Sequence, residues 1–210
     1  ELYADEYYIY KQEKIKGKEY WVKDRIHYHI LKHCIFGADI DSFAIQLTTI
    51  NLLLKDIENF TDDLNIIECD SLIKWEEDYD WKDLKQQLED YNRLSFIINY
   101  SNINGVHRQD TLSRDEAEEL LRHCEFWSKK HNFVVGNPPY FNICKKNSTK
   151  YSFLRDGVLN ISSIFVYIGL KQLKDFGTLG YIIPKMTTWV KSYKSIRKEI
   201  IKYHIKSLCD

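Results

Sequence analysis

A chain of 210 residues, 44% of them hydrophobic, has the material for one packed core or a domain and a half, and no apolar run approaches the length of a membrane span. Its five cysteines are odd in number and contain no C-x-x-C pair, which excludes a disulfide framework and a structural zinc site and fits reduced thiols in a cytoplasmic protein. The net charge of −1 hides an asymmetry: from Asn137 onward there are 13 Lys and Arg against 4 Asp and Glu, and before it 17 against 27.

The start, Glu1-Leu2-Tyr3-Ala4-Asp5-Glu6, has neither a methionine nor the layout of a secretion signal, and predicts a piece of a longer protein. Residues 1–32 are rich in tyrosine and alternate charge, with a helix expected over Asp24–Lys32. His29 and His33 stand four apart, but without a third ligand they read as an ordinary helix face, so no metal is expected. The apolar stretch His33-Cys34-Ile35-Phe36-Gly37-Ala38-Asp39-Ile40-Asp41 predicts a strand ending in two carboxylates, followed by a helix over Ser42–Lys55 with Asp41 as its N-cap. Asp39, at the carboxyl end of a strand, either accepts the two hydroxyls of a ribose or binds local N–H groups in a turn. Asn65-Ile66-Ile67-Glu68-Cys69 is a further strand, closed by Asp70-Ser71-Leu72, and Asp70 has the same two readings.

Residues 74–131 form a long polar stretch with helices expected near Asp80–Leu94 and Ser113–Lys130, the second opened by a capping box of Ser113 and Glu116, and with a loop over Asn99–Gly105. Then comes the most informative stretch, Phe133-Val134-Val135-Gly136-Asn137-Pro138-Pro139-Tyr140. Three apolar residues and a glycine read as a short buried strand, and two consecutive prolines forbid further ladder pairing, so the chain leaves the sheet at Asn137. The Asn137 amide oxygen and the Pro138 carbonyl can accept the two N–H bonds of an exocyclic amino group, with the Tyr140 ring as a stacking platform. The alternative is an ordinary Asn-Pro turn.

After the motif, Phe141–Asp156 reads as a mobile loop over this pocket, and Lys145, Lys146, Lys150 and Arg155, interleaved with Tyr151 and Phe153, suit a strand of nucleic acid or a plain surface loop. A helix is expected over Ile161–Asp175, a turn at Gly177 and Gly180, a strand at Tyr181-Ile182-Ile183-Pro184, a basic helix over Trp189–Lys202 and a last strand at Ile205–Leu208.

Asn-Pro-Pro-Tyr directly after an apolar strand resembles the motif of amino-group methyltransferases that use S-adenosylmethionine, above all the N6-adenine-specific DNA methyltransferases. The layout Ile35-Phe36-Gly37-Ala38-Asp39-Ile40-Asp41 before an apolar helix, with Gly180-Tyr181-Ile182-Ile183-Pro184 after the motif, is most similar to the methylase part of the Eco57I-like type IIG and type IIS restriction-modification enzymes. The resemblance implies an α/β, Rossmann-like S-adenosylmethionine-dependent methyltransferase fold with a doubly wound sheet, here lacking the N-terminal strand and glycine-rich loop of relatives, since no G-x-G is present. It implies a partial catalytic domain over 1–210: a helical lead-in (1–32), donor-binding strands (33–73), an unmatched insertion (74–131), and the catalytic motif with the basic C-terminal half (132–210).

By the same resemblance Asp39 holds the ribose of the methyl donor, Asp70 the amino group of its adenine, and Asn137, Pro138, Pro139 and Tyr140 the target adenine, flipped out of double-stranded DNA. It further implies remaining domains of a longer polypeptide, for target recognition and a nuclease. Two rival readings are methylation of RNA or of a protein glutamine amide, which the basic half disfavours for protein, and a non-catalytic DNA-binding or specificity module that has lost its donor site.

Overall fold

Residues 4–102, 106–143, 149–156 and 159–209 are described by a computed structural model, in which the chain divides into two units, Glu1–Ser71 and Leu72–Asp210. The first unit opens with a hairpin of β1 (Tyr7–Tyr10) and β2 (Glu13–Lys16), where a purely helical lead-in was expected. Its two-residue turn places Lys11 and Gln12 at φ 46° and 71°, the left-handed pair that matches strand twist, and the run Tyr-Tyr-Ile-Tyr supplies the strand preference.

A short α1 (Gly17–Tyr20) follows, then a continuous helical stretch made of a 3-10 turn (Lys23–Arg25), α2 (Ile26–His29) and a π turn (Ile30–Cys34). Tyr20, Tyr28 and Leu31 are buried here, and Tyr8 stacks on Tyr20 with ring centroids 4.7 Å apart. His29 and His33 belong to this aromatic cluster: His33 Nε2 is 2.8 Å from the Tyr20 hydroxyl, and His29 Nε2 is 2.7 Å from the Tyr20 carbonyl oxygen. A carbonyl can only accept, so Nε2 of His29 carries the hydrogen and its buried Nδ1 keeps a lone pair without a hydrogen-bond partner among the described residues.

β3 (Phe36–Asp39) pairs in parallel with β4 (Asn65–Glu68), in the register Asp39 to Glu68, and α3 (Ser42–Leu53) crosses between them. Asp41 caps α3 by accepting the Phe43 N–H at 3.0 Å. Phe43, Leu47 and Ile50, spaced along one face of α3, are exposed.

The second unit starts with α4 (Trp75–Asp78) and α5 (Trp81–Leu88), which is shorter than expected, and continues with an antiparallel hairpin of β5 (Phe96–Ser101) and β6 (His107–Leu112). The loop expected from Asn99 is therefore strand as far as Ser101. Inward alternation of Phe96 and Ile98 against Leu84 and Ala117 explains why, because that small core forms only when distant segments pack. α6 (Arg114–Ser128) begins with the anticipated capping box of Ser113 and Glu116.

β7 (His131–Gly136) pairs in parallel with β10 (Leu173–Tyr181). Between them run β8 (Asn142–Ile143), a 3-10 helix (Thr149–Leu154), β9 (Leu159–Asn160) and α7 (Ile161–Lys171). Of the segment Phe141–Asp156, expected as a mobile loop over the pocket, the described part buries Tyr151 and Leu154 in a core shared with Leu159, Ile164, Val166, Leu170, Tyr193 and Ile196. α7 stops at Lys171 and Gly177 and Gly180 lie within β10, whose register shifts between Leu173 and Thr178, with Phe176 at φ 63°. Strand pairing ends at Tyr181. Two 3-10 turns (Lys185–Thr188 and Lys191–Tyr193) lead into α8 (Lys194–Ile200), and Ile205–Leu208 is irregular and exposed rather than a strand. Among the described residues the architecture is mixed α/β with two-stranded sheets, and no helix is long and apolar enough to cross a membrane.

Two outcomes follow from this packing. A Cβ on Gly169 would lie 2.8 Å from both Leu179 Cδ1 and Tyr181 Oη, so Gly169→Ala carries about 1–3 kcal/mol of overpacking against about 1 kcal/mol of helix propensity gained. A lowered midpoint of urea unfolding is expected, and an unchanged or raised one would show that both side chains move aside freely. Burial lowers the His29 imidazole below its usual 6.5, helped by the Arg25 charge and opposed by the Tyr20 carbonyl. The unfolded chain then binds more protons as pH falls through about 6.5, so stability is present above that pH and lost below it. Urea midpoints at pH 7.5 and 5.5 should differ more in the native sequence than in His29→Gln.

Candidate functional site

The site begins where β7 stops. Tyr181 stands opposite Gly136 in the β7–β10 ladder, and the Ile182 N–H donates to the Gly136 carbonyl at 3.1 Å as its last rung. Pro138 and Pro139 have no N–H to continue it, and Asn137, Pro139 and Tyr140 emerge exposed while Pro138 is buried. A Cβ on Gly136 would lie 3.0 Å from Tyr181 Cε1, and Gly169 faces the hydroxyl end of the same ring. Two glycines thus make the slot in which Tyr181 supports the end of β7. Burial raises its phenol to about 12.

The Tyr140 hydroxyl is directed at Asn137 Oδ1 and lies 2.9 Å from the Ile182 carbonyl oxygen. Its one hydrogen is shared between these two oxygens, which links the motif back to the end of β10 and holds the Asn137 amide beside the ring. An amide oxygen has two lone pairs, so Oδ1 can accept a further N–H while keeping the Tyr140 contact. The four motif residues are brought together; what they present is acceptors and an aromatic face.

Past Tyr140, the Phe141 carbonyl accepts the Ile161 N–H at 2.9 Å, which ties the motif to the start of α7. Asn160 caps that helix through Ser162 and also bonds Asn142 across the β8–β9 pair. Tyr140, Asn142, Asn160, Met186, Val190, Ser192 and Tyr193 line a cavity of about 230 Å³. Its far wall is held by Arg197 of α8, whose guanidinium donates to the carbonyls of Thr187 at 3.0 Å and Val190 at 2.7 Å. Tyr181, Asn142, Asn160 and Arg197 were not singled out in the sequence. Asn160 before an apolar run was visible as an N-cap, whereas the others act through partners distant along the chain.

A larger open cavity of about 770 Å³ lies between α4 and the β5–β6 hairpin. It shares no residue with the motif; of its acidic lining residues Glu77 is paired with Lys74 and Asp78 with Lys150, and Arg108 stands on the same wall as a cation.

In the first unit, Asp39 and Asp70 occupy the carboxyl ends of neighbouring parallel strands, the Cys69 N–H donating to the Asp39 carbonyl at 2.8 Å. Asp39 is exposed, and its Oδ1 accepts the Asp41 N–H at 2.9 Å in a local turn, leaving Oδ2 without a hydrogen bond among the described residues. Asp70 is half-buried. Of the basic residues, Lys145 and Lys146 lie outside the described residues. Lys150 is ion-paired with Asp78 and donates to the Ser101 carbonyl at 3.3 Å, so its charge is already engaged within the fold, and Arg155 is half-buried.

Because one guanidinium holds two carbonyls, Arg197→Ala should cost about 1.5–3 kcal/mol, the range for hydrogen bonds to a charged group. Urea unfolding measures the loss, and backbone hydrogen exchange over 185–193 should accelerate. Unchanged exchange there would show that the cavity wall stands without Arg197.

The sequence model of the Eco57I restriction-modification methylase family matches residues 33–210. A type II methyltransferase of Providencia stuartii, M.PstI, is 32% identical over 87 residues, covering 40% of this chain and 17% of its own length. The type II restriction enzyme and methyltransferase RM.Eco57I of Escherichia coli is 25% identical over 208 residues, covering 92% of this chain and 18% of its own. The chain therefore spans less than a fifth of the length of either relative. With the family's pattern running from the strand that carries Asp39 through the Asn-Pro-Pro-Tyr turn to the end, the chain belongs to the Eco57I restriction-modification methylase family.

Proposed function

We propose that the protein transfers a methyl group from S-adenosylmethionine to the N6 amino group of adenine in DNA, as part of a restriction-modification system. The observation that carries this reading is the Asn137 amide oxygen, exposed at the end of a parallel strand, oriented by Tyr140, and with an acceptor site to spare. Family membership supports the class of reaction, and the named relatives are a methyltransferase and a combined restriction enzyme and methyltransferase.

The donor supplies an electrophilic methyl on a sulfonium. Exposed Asp39 Oδ2 and half-buried Asp70 fit its nucleoside end, because carboxylates accept hydroxyl and amino hydrogens. On the acceptor side, an adenine amino group is a weak nucleophile with its lone pair delocalised into the ring. By taking its two N–H bonds, Asn137 Oδ1 and the Pro138 carbonyl favour the pyramidal nitrogen that attacks. The new N–C bond would form as the donor's C–S bond breaks, with the thioether as leaving group and the proton of the methylated nitrogen passing to solvent, so positioning supplies most of the acceleration without a general base. The base is flipped out of the duplex onto the Tyr140 ring to reach this point. The basic C-terminal half favours a polyphosphate, with Lys145, Lys146, Lys150 and Arg155 as backbone contacts. For Lys150 that role requires leaving its ion pair with Asp78. The parallel pairs β3–β4 and β7–β10, with polar residues at their carboxyl ends, support a doubly wound Rossmann-like sheet. A cytoplasmic location and further target-recognition and nuclease domains complete the proposal.

The test is transfer of labelled methyl from S-adenosylmethionine to duplex DNA by the full-length protein, followed by identification of the modified nucleoside. Label in N6-methyladenine is expected, falling about a hundredfold or more in Asn137→Ala. Label in RNA or protein alone would move the acceptor, and failure to bind the donor would favour a non-catalytic module.

A further inference from the structure

The cavity beyond Tyr140 contains a polar pair whose orientation is fixed by hydrogen-bond logic. The Ser162 backbone N–H can only donate, and it reaches Asn160 Oδ1 at 3.0 Å, with the Ser162 hydroxyl on the same oxygen at 2.6 Å. Asn160 is buried, so its amide cannot turn over without stranding that N–H. Its NH₂ group therefore faces Asn142, where it donates to Oδ1 at 3.1 Å. Asn142 must in turn present its oxygen to Asn160 and its own NH₂ away from it. That NH₂ makes no hydrogen bond among the described residues, and the residue lines the cavity.

The rest of the lining is an aromatic face from Tyr140, the soft side chain of Met186, Val190, Ser192 and the ring of Tyr193. At about 230 Å³ the space lies below the roughly 300–1,000 Å³ of sites for drug-sized ligands, which suits one planar base and not a whole nucleotide. Asn137 Oδ1, an acceptor, is tied to the hydroxyl of the ring that forms one wall.

We propose that Asn142 is a specificity-determining residue of the acceptor pocket, donating from its NH₂ group to the ring nitrogen that flanks the amino group presented to Asn137. This rests on the methyl-transfer reading above and extends it to how the base is chosen. An acceptor at Asn137 and a donor at Asn142 together select a heterocycle with an amino group beside an unprotonated ring nitrogen. Adenine offers such a nitrogen on either side of its amino group, N1 and N7. The guanine amino group has a protonated N1 on one side, which would oppose the Asn142 donor, and an unprotonated N3 on the other, so it matches in one of two orientations; cytosine matches through N3, but its single ring fills less of the cavity. A glutamine amide has no ring to fill the apolar walls.

The experiment measures kcat/KM for methyl transfer from S-adenosylmethionine by the full-length protein to three duplex DNAs, one ordinary and the others copied with 7-deazaadenine or 1-deazaadenine in place of adenine. The native sequence should lose about tenfold on one of the two deaza DNAs. Asn142→Ala should lose a similar factor on ordinary DNA and be indifferent to that same replacement. Asn142→Asp, which exchanges the donor for an acceptor at constant shape, should lose at least as much. Any loss from recognition elsewhere on the DNA would persist in Asn142→Ala, so only the missing second penalty reports the contact. Equal losses by Asn142→Ala on all three DNAs would overturn the proposal and leave Asn142 a merely structural residue, as would native activity in Asn142→Ala. Absence of transfer to ordinary DNA by the native sequence would instead overturn the underlying reading, and the proposal with it. Urea unfolding separates either result from misfolding: Asn142→Asp keeps the oxygen to which buried Asn160 donates and should leave the midpoint unchanged, whereas Asn142→Ala leaves that NH₂ unpaired and should lower it without abolishing the folding transition.

Discussion

Everything at the site depends on two missing hydrogens. Pro138 and Pro139 cannot donate to a neighbouring strand, so the β7–β10 ladder closes with the Ile182 N–H on the Gly136 carbonyl and the chain must turn outward there. A turn forced at the end of a strand needs support from beneath. Tyr181 gives it, and its ring fits only because positions 136 and 169 carry no side chain. From above, the Tyr140 hydroxyl returns to Asn137 and to the Ile182 carbonyl, so the residues that leave the sheet remain tied to its last rung.

The chemistry offered is correspondingly uniform. Asn137 Oδ1, the Pro138 carbonyl and the Asp39 and Asp70 carboxylates are all acceptors, each at or just past the carboxyl end of a parallel strand. Acceptors in this position suit ligands that bring hydroxyl and amino hydrogens. Because Asn137 and Asp39 are exposed, the free protein need not strand them in an apolar interior, where an unpaired polar group would cost several kcal/mol by order of magnitude.

What the sequence made legible was local. The proline pair, the Asp41 cap and the capping box of Ser113 and Glu116 are each decided within a few residues and stand in the structure as read, and the strand before Asn137 forms, though it is largely exposed where a buried strand was expected. Features set by distant partners were harder to read. The β1–β2 hairpin turns on Lys11 and Gln12, neither of which signals a left-handed turn. Tyr151 and Leu154 looked like loop residues because the core that buries them is completed by Tyr193 and Ile196. Lys150 looked like a free cation because Asp78, its partner, lies far back in the chain. Ile205–Leu208 had the composition of a strand but forms no ladder among the described residues. Phe133 and Val135 follow the strand pattern yet stay 75% and 80% exposed, since the pattern says that a face is apolar and not what covers it.

The double grip of Arg197 on the Thr187 and Val190 carbonyls has a consequence for how such a site can diverge. The acceptor atoms are anchored to β7 and β10, whereas the opposite cavity wall, with Met186 and Val190, is held by the Arg197 bonds to backbone carbonyls and by packing of Val190 and Tyr193 on the core. An exposed side chain on that wall such as Met186 can therefore be exchanged without disturbing either the guanidinium that holds the backbone or the turn that carries Asn137. Inheritance could then vary the shape of the pocket while the reacting end stays constant, so that new preferences arise by drift in one short segment rather than by rebuilding the whole.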